Sequence, residues 1–160
     1  MWARTVEISL TQGAVAFIDD EDYGLVSQYK WCLDIKRNLF YAMTKGYIDG
    51  KHKNIKMHQL IMGAKHGQIV DHINHDGLDN RRANLRFCTH AENCRNSYAR
   101  KGYSKYKGVS FYKNTQKWSA SIMLEGKSKY IGSFFLEEDA ARAYDEVAKK
   151  YFGEFARLNF

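Results

Sequence analysis

Asp71 and His72 stand side by side in the chain. Asn84 follows thirteen residues after Asp71, and Asn93 nine further on. A carboxylate such as Asp71 is a hard oxygen ligand of the kind magnesium takes. An imidazole such as His72 can act as a neutral base near neutral pH. The amide oxygen of Asn93 could complete a metal site. A carboxylate, an amide oxygen and an imidazole could together hold a hard cation and move a proton beside it. Alternation along a strand sends neighbouring side chains to opposite faces. A centre shared by Asp71 and His72 therefore needs a twist, a turn or a strand end, and spacing alone leaves these alternatives open.

The flanking sequence supplies elements to position these residues. Residues 68–73 read as a short strand, and Asn74-His75-Asp76-Gly77 as a turn. The loop continues through Asp79-Asn80-Arg81-Arg82, and 84–88 returns as a second strand. Thr89-His90-Ala91-Glu92 has the form of a capping box, so a helix bearing Asn93 should start there. Upstream, 1–67 reads as a β-rich segment. Strands are expected at 5–10, 14–18, 30–35 and 40–44, with Asn38 near a turn, and 55–62 should begin as a strand and end as a helix. Downstream, 98–105 reads as a basic linker. Residues 106–160 carry three strands, 106–112, 117–124 and 128–134, and a helix over 137–151. That helix has an apolar stripe of Ala140, Ala141, Tyr144, Val147, Ala148 and Tyr151. Glu137, Glu138 and Asp139 at its start and Lys149 and Lys150 near its end suit the helix dipole. The expected class is α+β: a β-rich segment, a strand–loop–strand–helix unit (68–97), and a three-stranded antiparallel sheet packed on one helix.

The 160 residues carry a formal net charge of +7. Between Glu92 and Glu125 there is no acidic residue. Arg95, Arg100, Lys101, Lys105, Lys107, Lys113 and Lys117 fall in that stretch, interleaved with Tyr98, Tyr103, Tyr106, Phe111, Tyr112 and Trp118. Such a stripe suits a phosphate backbone, whose counterions it would release. No apolar run reaches the ~20 residues of a membrane helix. The first ten residues include Arg4 and Glu7 and lack the apolar core of a signal peptide. A cytoplasmic protein with no obligate protein partner is expected. Three cysteines, Cys32, Cys88 and Cys94, do not suggest a disulfide framework. Buried or idle thiols are the first reading, and a zinc site of Cys88, His90 and Cys94 the second.

The run VDHINHDGLDNRRANLRFCTHAENCRN (70–96) resembles the HNH nuclease motif, in the variant of phage and intron homing endonucleases. The resemblance implies a ββα-metal fold, in which a hairpin and a helix grip one divalent cation. It implies Asp71 and Asn93 as ligands, His72 as general base and Asn84 as organiser of the loop. The family often has histidine where Asn93 stands, so magnesium or manganese is implied rather than zinc. Arg81, Arg82, Arg86 and Arg95 are candidates to hold phosphates. Asn80 reads as a loop hydrogen-bonder, and His75 and His90 as solvated. His58, in KMHQLIMG, resembles the histidine that precedes the HNH core in related phage proteins, and it reads as structural.

Residues 106–160 resemble the plant Apetala-two/ethylene-responsive-factor DNA-binding domain. The likeness rests on Tyr-Lys-Gly-Val, Lys-Trp, Ile-Gly-Ser-Phe, Glu-Asp-Ala-Ala-Arg-Ala-Tyr-Asp and the terminal Leu-Asn-Phe. That family lays its sheet in the major groove and backs it with the helix. Alternation would turn Trp118, Ala120, Ile122 and Leu124 to the helix and Lys117, Ser119, Ser121 and Met123 to DNA. Ser110, Tyr112, Ser121 and Met123 stand where plant members carry charged groups, three of them arginines. Arginine to guanine is the commonest specific contact, so the plant GC-rich target is in doubt. Lys107, Lys113, Lys117 and Lys129 remain as backbone anchors. The sequence thus leads to a metal-dependent endonuclease acting on double-stranded DNA with site preference, from a phage or mobile element. A non-cutting DNA-binding regulator is the alternative, and a structured-RNA binder is third.

Overall fold

The computed structural model describes residues 4–36, 39–48, 51–97 and 102–160. Asn38, Tyr98, Arg100 and Lys101 lie outside the described residues. The chain forms two compact units, Met1–His90 and Ala91–Phe160.

The first unit begins with a hairpin. Strands β1 (Thr5–Ser9) and β2 (Val15–Asp19) pair antiparallel, with Val6 opposite Ile18 and Ile8 opposite Ala16. Gln12 and Gly13, both at positive φ, make the turn between them. The acidic run continues into a 3-10 turn (Asp20–Asp22) and one helical turn, α1 (Tyr23–Val26). A meander follows: β3 (Cys32–Lys36), β4 (Leu39–Ile48) and β5 (Lys51–Lys56), in the order β3-β4-β5. The chain then enters α2 (Met57–Ile61), so the run 55–62 does change from strand to helix. Strand β5 starts four residues before that run, among lysines and His52 whose polarity hides it. Strands β6 (Ile69–His72) and β7 (Leu85–Cys88) pair antiparallel, with Asp71 opposite Arg86 and His72 opposite Leu85.

One apolar core serves this whole unit. Ala16, Ile18, Val26, Trp31, Ala42, Met57 and Ile61 share it with Val70 and Leu85 of the β6–β7 pair. The 69–88 hairpin is too small to bury a core of its own, and the N-terminal strands supply what it lacks. The backbone is strapped as well: Phe17 donates to Leu78 O and accepts from Asn80 N. This is the structural role of the segment upstream of residue 68.

The second unit opens with α3 (His90–Arg95), which starts directly after Thr89 as the capping pattern predicts; all but His90 belongs to this unit. Strands β8 (Val109–Tyr112), β9 (Lys117–Leu124) and β10 (Lys127–Phe134) form an antiparallel sheet in the order β10-β9-β8. Helix α4 (Glu137–Phe152) packs on one face of it. Ala120, Ile122 and Leu124 are buried with Ala140, Ala141, Tyr144 and Ala148, as alternation predicts. The alanines let the helix come close. The structure adds a bulge in β10 between Tyr130 and Gly132, which shifts the register by one residue.

Gly108 has φ +76°, and a Cβ there would lie 2.0 Å from the Tyr144 ring. Gly108→Ala should destabilise the second unit by about 2 kcal/mol or more, from overpacking and left-handed strain together. Urea unfolding followed by tryptophan fluorescence of Trp118 and by far-UV circular dichroism would measure it.

Candidate active site

His72 ends β6 and is buried, at 5% exposure. Its Nε2 lies 3.5 Å from Asn80 Oδ1. Its ring meets the His58 ring edge-on at 4.7 Å between centroids, and Tyr41 tilts against both histidines at 5.8 and 6.0 Å. Three elements therefore set this side chain: α2 through His58, β4 through Tyr41 and the 73–84 loop through Asn80. Burial pushes the His72 imidazole below its ordinary pKa. The Asn80 contact and the carboxylates of Asp71, Asp76 and Asp79 work against that shift.

Asp71, one residue earlier, pairs across the strands with Arg86, whose Nη2 and Nε donate to Oδ2 at 3.1 and 3.3 Å. Both side chains are nearly buried. The two partners leave the hairpin on the side that cross-strand pairing dictates. Asp71 also holds the Tyr41 hydroxyl above its ordinary pKa, second to burial itself.

Asn84 organises the intervening loop. Its Oδ1 accepts from Asn74 N at 2.9 Å, and its Nδ2 donates to Asp79 O at 2.8 Å. Ile73 N donates to Asn84 O, which closes the loop at its base. Asp79 is held by Asn74 Nδ2 and by a bidentate pair with Arg81, 2.7 Å for each bond. That pair is the main reason the Asp79 carboxyl lies below its usual range.

Arg82 locks the loop to the N-terminal hairpin. Its guanidinium donates to Asp22 Oδ1 and Oδ2 at 2.6 and 2.9 Å and to Ile61 O at 3.1 Å. Its backbone N–H donates to Asp19 Oδ2 at 2.8 Å, and Glu21 lies 3.3 Å from Nε. Asp19, Glu21 and Asp22 are the only described residues whose His, Cys, Asp or Glu ligand atoms converge in a group of three. The guanidinium of Arg82 fills that convergence. The zinc alternative at Cys88, His90 and Cys94 has no such cluster among the described residues. Cys32, Cys88 and Cys94 are not joined in disulfides.

The basic candidates divide by partner. Arg81, Arg82 and Arg86 each hold an internal carboxylate, so none is the simple solvated cation that composition suggests. In the second unit, Arg95 stacks on Phe152 at 4.8 Å, and Lys105, Lys113 and Lys117 lie over Tyr106, Tyr103 and Phe135. The Lys107 ammonium turns to the carbonyls of Cys94, Arg95 and Ser97. Burial, with Arg157 nearby, lowers its pKa to about 8. Register places Ser110, Tyr112, Lys117, Ser119, Ser121 and Met123 on the sheet face away from α4. Ser119 is nonetheless buried there. Lys129 pairs with Ile122 and so stands on the helix side of the edge strand rather than on the outer face. Ser128 and Tyr130, which alternation in the sequence alone did not single out, pair with Met123 and Ser121 and join that face.

Sequence reasoning also missed Tyr41 and the closeness of His58 to His72. The signal for His58 was a single imidazole within an apolar run. His58 is 3% exposed, and its Nδ1 has no hydrogen-bond partner among the described residues.

The family model for HNH endonucleases matches residues 55–95, which takes in His58, Asp71, His72, Asn84 and Asn93. A protein of Acanthamoeba polyphaga mimivirus named an HNH endonuclease is 31% identical over 155 residues, covering 92% of this chain and 76% of that protein. The chain belongs to the HNH endonuclease family. Its C-terminal third is similar to a different set of proteins. An AP2-like ethylene-responsive transcription factor of Arabidopsis thaliana is 46% identical over 57 residues, or 36% of this chain and 12% of that protein. An APETALA2-like protein of Oryza sativa subsp. indica matches equally, over 13% of its length. The chain is therefore a nuclease with an AP2-like C-terminal segment. HNH nucleases generally depend on a divalent metal. Among the described residues no helix is long and apolar enough to cross a membrane.

Burial holds the His58 pKa near 3. Its unfolded value is near 6.5, so the unfolded chain binds the extra proton between those limits. Stability from this group is complete above about pH 6.5 and falls as pH drops towards 3. His58→Leu should lose less stability than the native protein between pH 7 and pH 5, read from urea midpoints at both pH values. An equal loss would clear His58 as the cause.

Proposed function

We propose that the protein cuts duplex DNA at preferred sites, using a divalent cation held by Asp71 and Asn93 and His72 as general base. The observation that carries this reading is the setting of His72. It is a buried imidazole fixed by Asn80, His58 and Tyr41, next in the chain to a buried carboxylate. The donor chemistry suits magnesium or manganese, because a carboxylate and an amide offer hard oxygens. Asp71 already attracts a cation, the Arg86 guanidinium, to its Oδ2. When bound, the metal would neutralise the scissile phosphate and stabilise the departing 3′ oxygen.

The chain's own residues do the rest. His72 takes a proton from water, the oxygen attacks phosphorus, and the bond to the 3′ oxygen breaks. This leaves a 5′-phosphate and a 3′-hydroxyl. General-base help of this kind contributes about 10²–10⁴-fold. Asn84 keeps the loop closed around His72 and acts through position, without contact to the reacting atoms. Arg81, about half exposed, supplies a phosphate contact. In the second unit the outer sheet face meets the major groove through Ser110, Tyr112, Lys117, Ser121 and Met123, and Lys105 and Lys113 anchor to the backbone. The viral relative favours a mobile genetic element as the source. The similarity to transcription factors favours a second reading, a DNA-binding regulator that does not cut.

Incubation with supercoiled plasmid decides between these readings. Relaxed or linear DNA should form only with magnesium or manganese present. Asp71→Ala should abolish cutting and keep most DNA affinity, since binding is spread over many phosphates. Intact plasmid under every metal condition would leave the regulator.

A base must be neutral to act, so cutting should fall as pH drops through the His72 pKa. Burial puts that pKa below the ordinary imidazole value, near 6.5. The acid limb of kcat/KM, which reports the free protein, should therefore lie below pH 6.5. His72→Ala should lack that limb in its residual rate. An acid limb shared by both proteins would assign the base elsewhere.

A further inference from the structure

The C-terminal end of the helix bearing Asn93 is bound by one ammonium. Lys107 Nζ donates to three carbonyls there, those of Cys94, Arg95 and Ser97. The last carbonyls of any helix lack internal partners and carry its negative dipole end, so the half-buried Lys107 cation caps them. Arg95, on the final turn, stacks its guanidinium on the Phe152 ring of α4. Both are basic residues that composition assigns to phosphate, and both are spent inside the unit.

Lys107 is itself pinned from behind. Its N–H donates to Asn159 Oδ1 at 2.7 Å, and its carbonyl accepts from Asn159 Nδ2 at 3.2 Å. Asn159 in turn donates its backbone N–H to both Asp145 carboxylate oxygens, at 2.9 Å each, and its Nδ2 to Oδ1 at 2.9 Å. Gly108, next in the chain, accepts from Ser121 N of β9 and lies against Tyr144 of α4. A continuous hydrogen-bonded path thus runs from the middle of α4, through the penultimate residue and the Lys107 backbone, to the end of α3. Every link lies within one compact unit.

We propose that Lys107 is a positioning residue of the nuclease, fixing the helix that carries Asn93 to the AP2-like unit. The inference rests on the assignment of Asn93 as a metal ligand. Its consequence is that α3 is a fixed part of the second unit rather than a loose extension of it. Whatever orders that unit on DNA also orders Asn93.

The test compares the full-length native protein with Lys107→Met on three readouts. The first is the magnesium concentration for half-maximal plasmid cutting. It should rise about ten- to hundredfold, the usual loss when a group supporting a metal ligand is removed. The second is the salt dependence of DNA binding without metal, which should keep its slope. A lost phosphate contact would instead lower that slope by about one. The third is amide hydrogen exchange, which should quicken over 90–97 and stay slow over 117–124 and 140–152. A lowered slope with unchanged magnesium demand makes Lys107 a phosphate contact and overturns the proposal, as does no change in any readout. If the native protein cuts nothing, the nuclease reading fails, and hydrogen exchange still decides the joint. Should Lys107→Met not fold, Lys107→Arg replaces it. The guanidinium keeps a charge for phosphate, but its rigid fork cannot point at three converging carbonyls. Magnesium demand should rise while the salt slope holds, and native demand would overturn the proposal.

Discussion

The bond set of Arg82 is the constraint on which the nuclease unit depends. Asp22 is 3% exposed and takes both arms of the guanidinium, while the Arg82 backbone N–H caps Asp19. A buried carboxylate is costly unless it is paired and hydrogen-bonded, so the pairing fixes where the 73–84 loop can lie against the first hairpin. The same arginine reaches Ile61 O at the end of α2, the helix that presents His58 to His72. Hairpin, helix and loop are thus referred to one side chain. The backbone bonds of Phe17 to Leu78 and Asn80 complete the strap. Loss of the pairing would free the loop that carries Asn80, and with it the orientation of His72.

This arrangement explains why a motif of about 27 residues is accompanied by a longer β-rich segment. The β6–β7 hairpin contributes two residues, Val70 and Leu85, to the buried core. An isolated two-stranded hairpin is marginal in water. The upstream segment provides the apolar mass, and it also provides Tyr41, His58 and the acidic run that receives Arg82. The active-site surroundings are therefore assembled across 60 or more residues of chain. Basic residues follow the same economy. Arg82, Arg86, Arg95 and Lys107 are phosphate candidates in the sequence, yet each is held by a carboxylate, a ring or a set of carbonyls.

The second unit shows how a familiar pattern is adapted. Its alanine-faced helix and alternating β9 strand give the core that the pattern predicts. Its outer face carries Ser110, Tyr112 and Met123 at the three positions where the plant pattern has arginine. Its terminal Asn159 does mechanical work, tying Asp145 to the backbone of Lys107. A residue near the chain end can matter this much because three of its polar atoms are used at once.

The sequence by itself determined the local elements and the chemical types. Period-two alternation marked β9, a 3.6-residue stripe marked α4, and the capping pattern at Thr89 marked the start of α3, because each signal depends on neighbours within a few residues. The Asp-His pair and the two asparagines were picked out by the resemblance of 70–96 to the HNH motif, since spacing alone left their roles open. Strand β5 was not legible, since its lysines and His52 are stabilised by pairing with β4 rather than by their own pattern. Only the tertiary structure decided the partners. Arg82 meets Asp22 sixty residues away, His58 meets His72 across two elements, and Lys107 turns inward to a helix end. A cation's sequence neighbours do not say whether solvent, phosphate or a buried oxygen will satisfy it. That choice is made by burial, which exists only once the chain has packed.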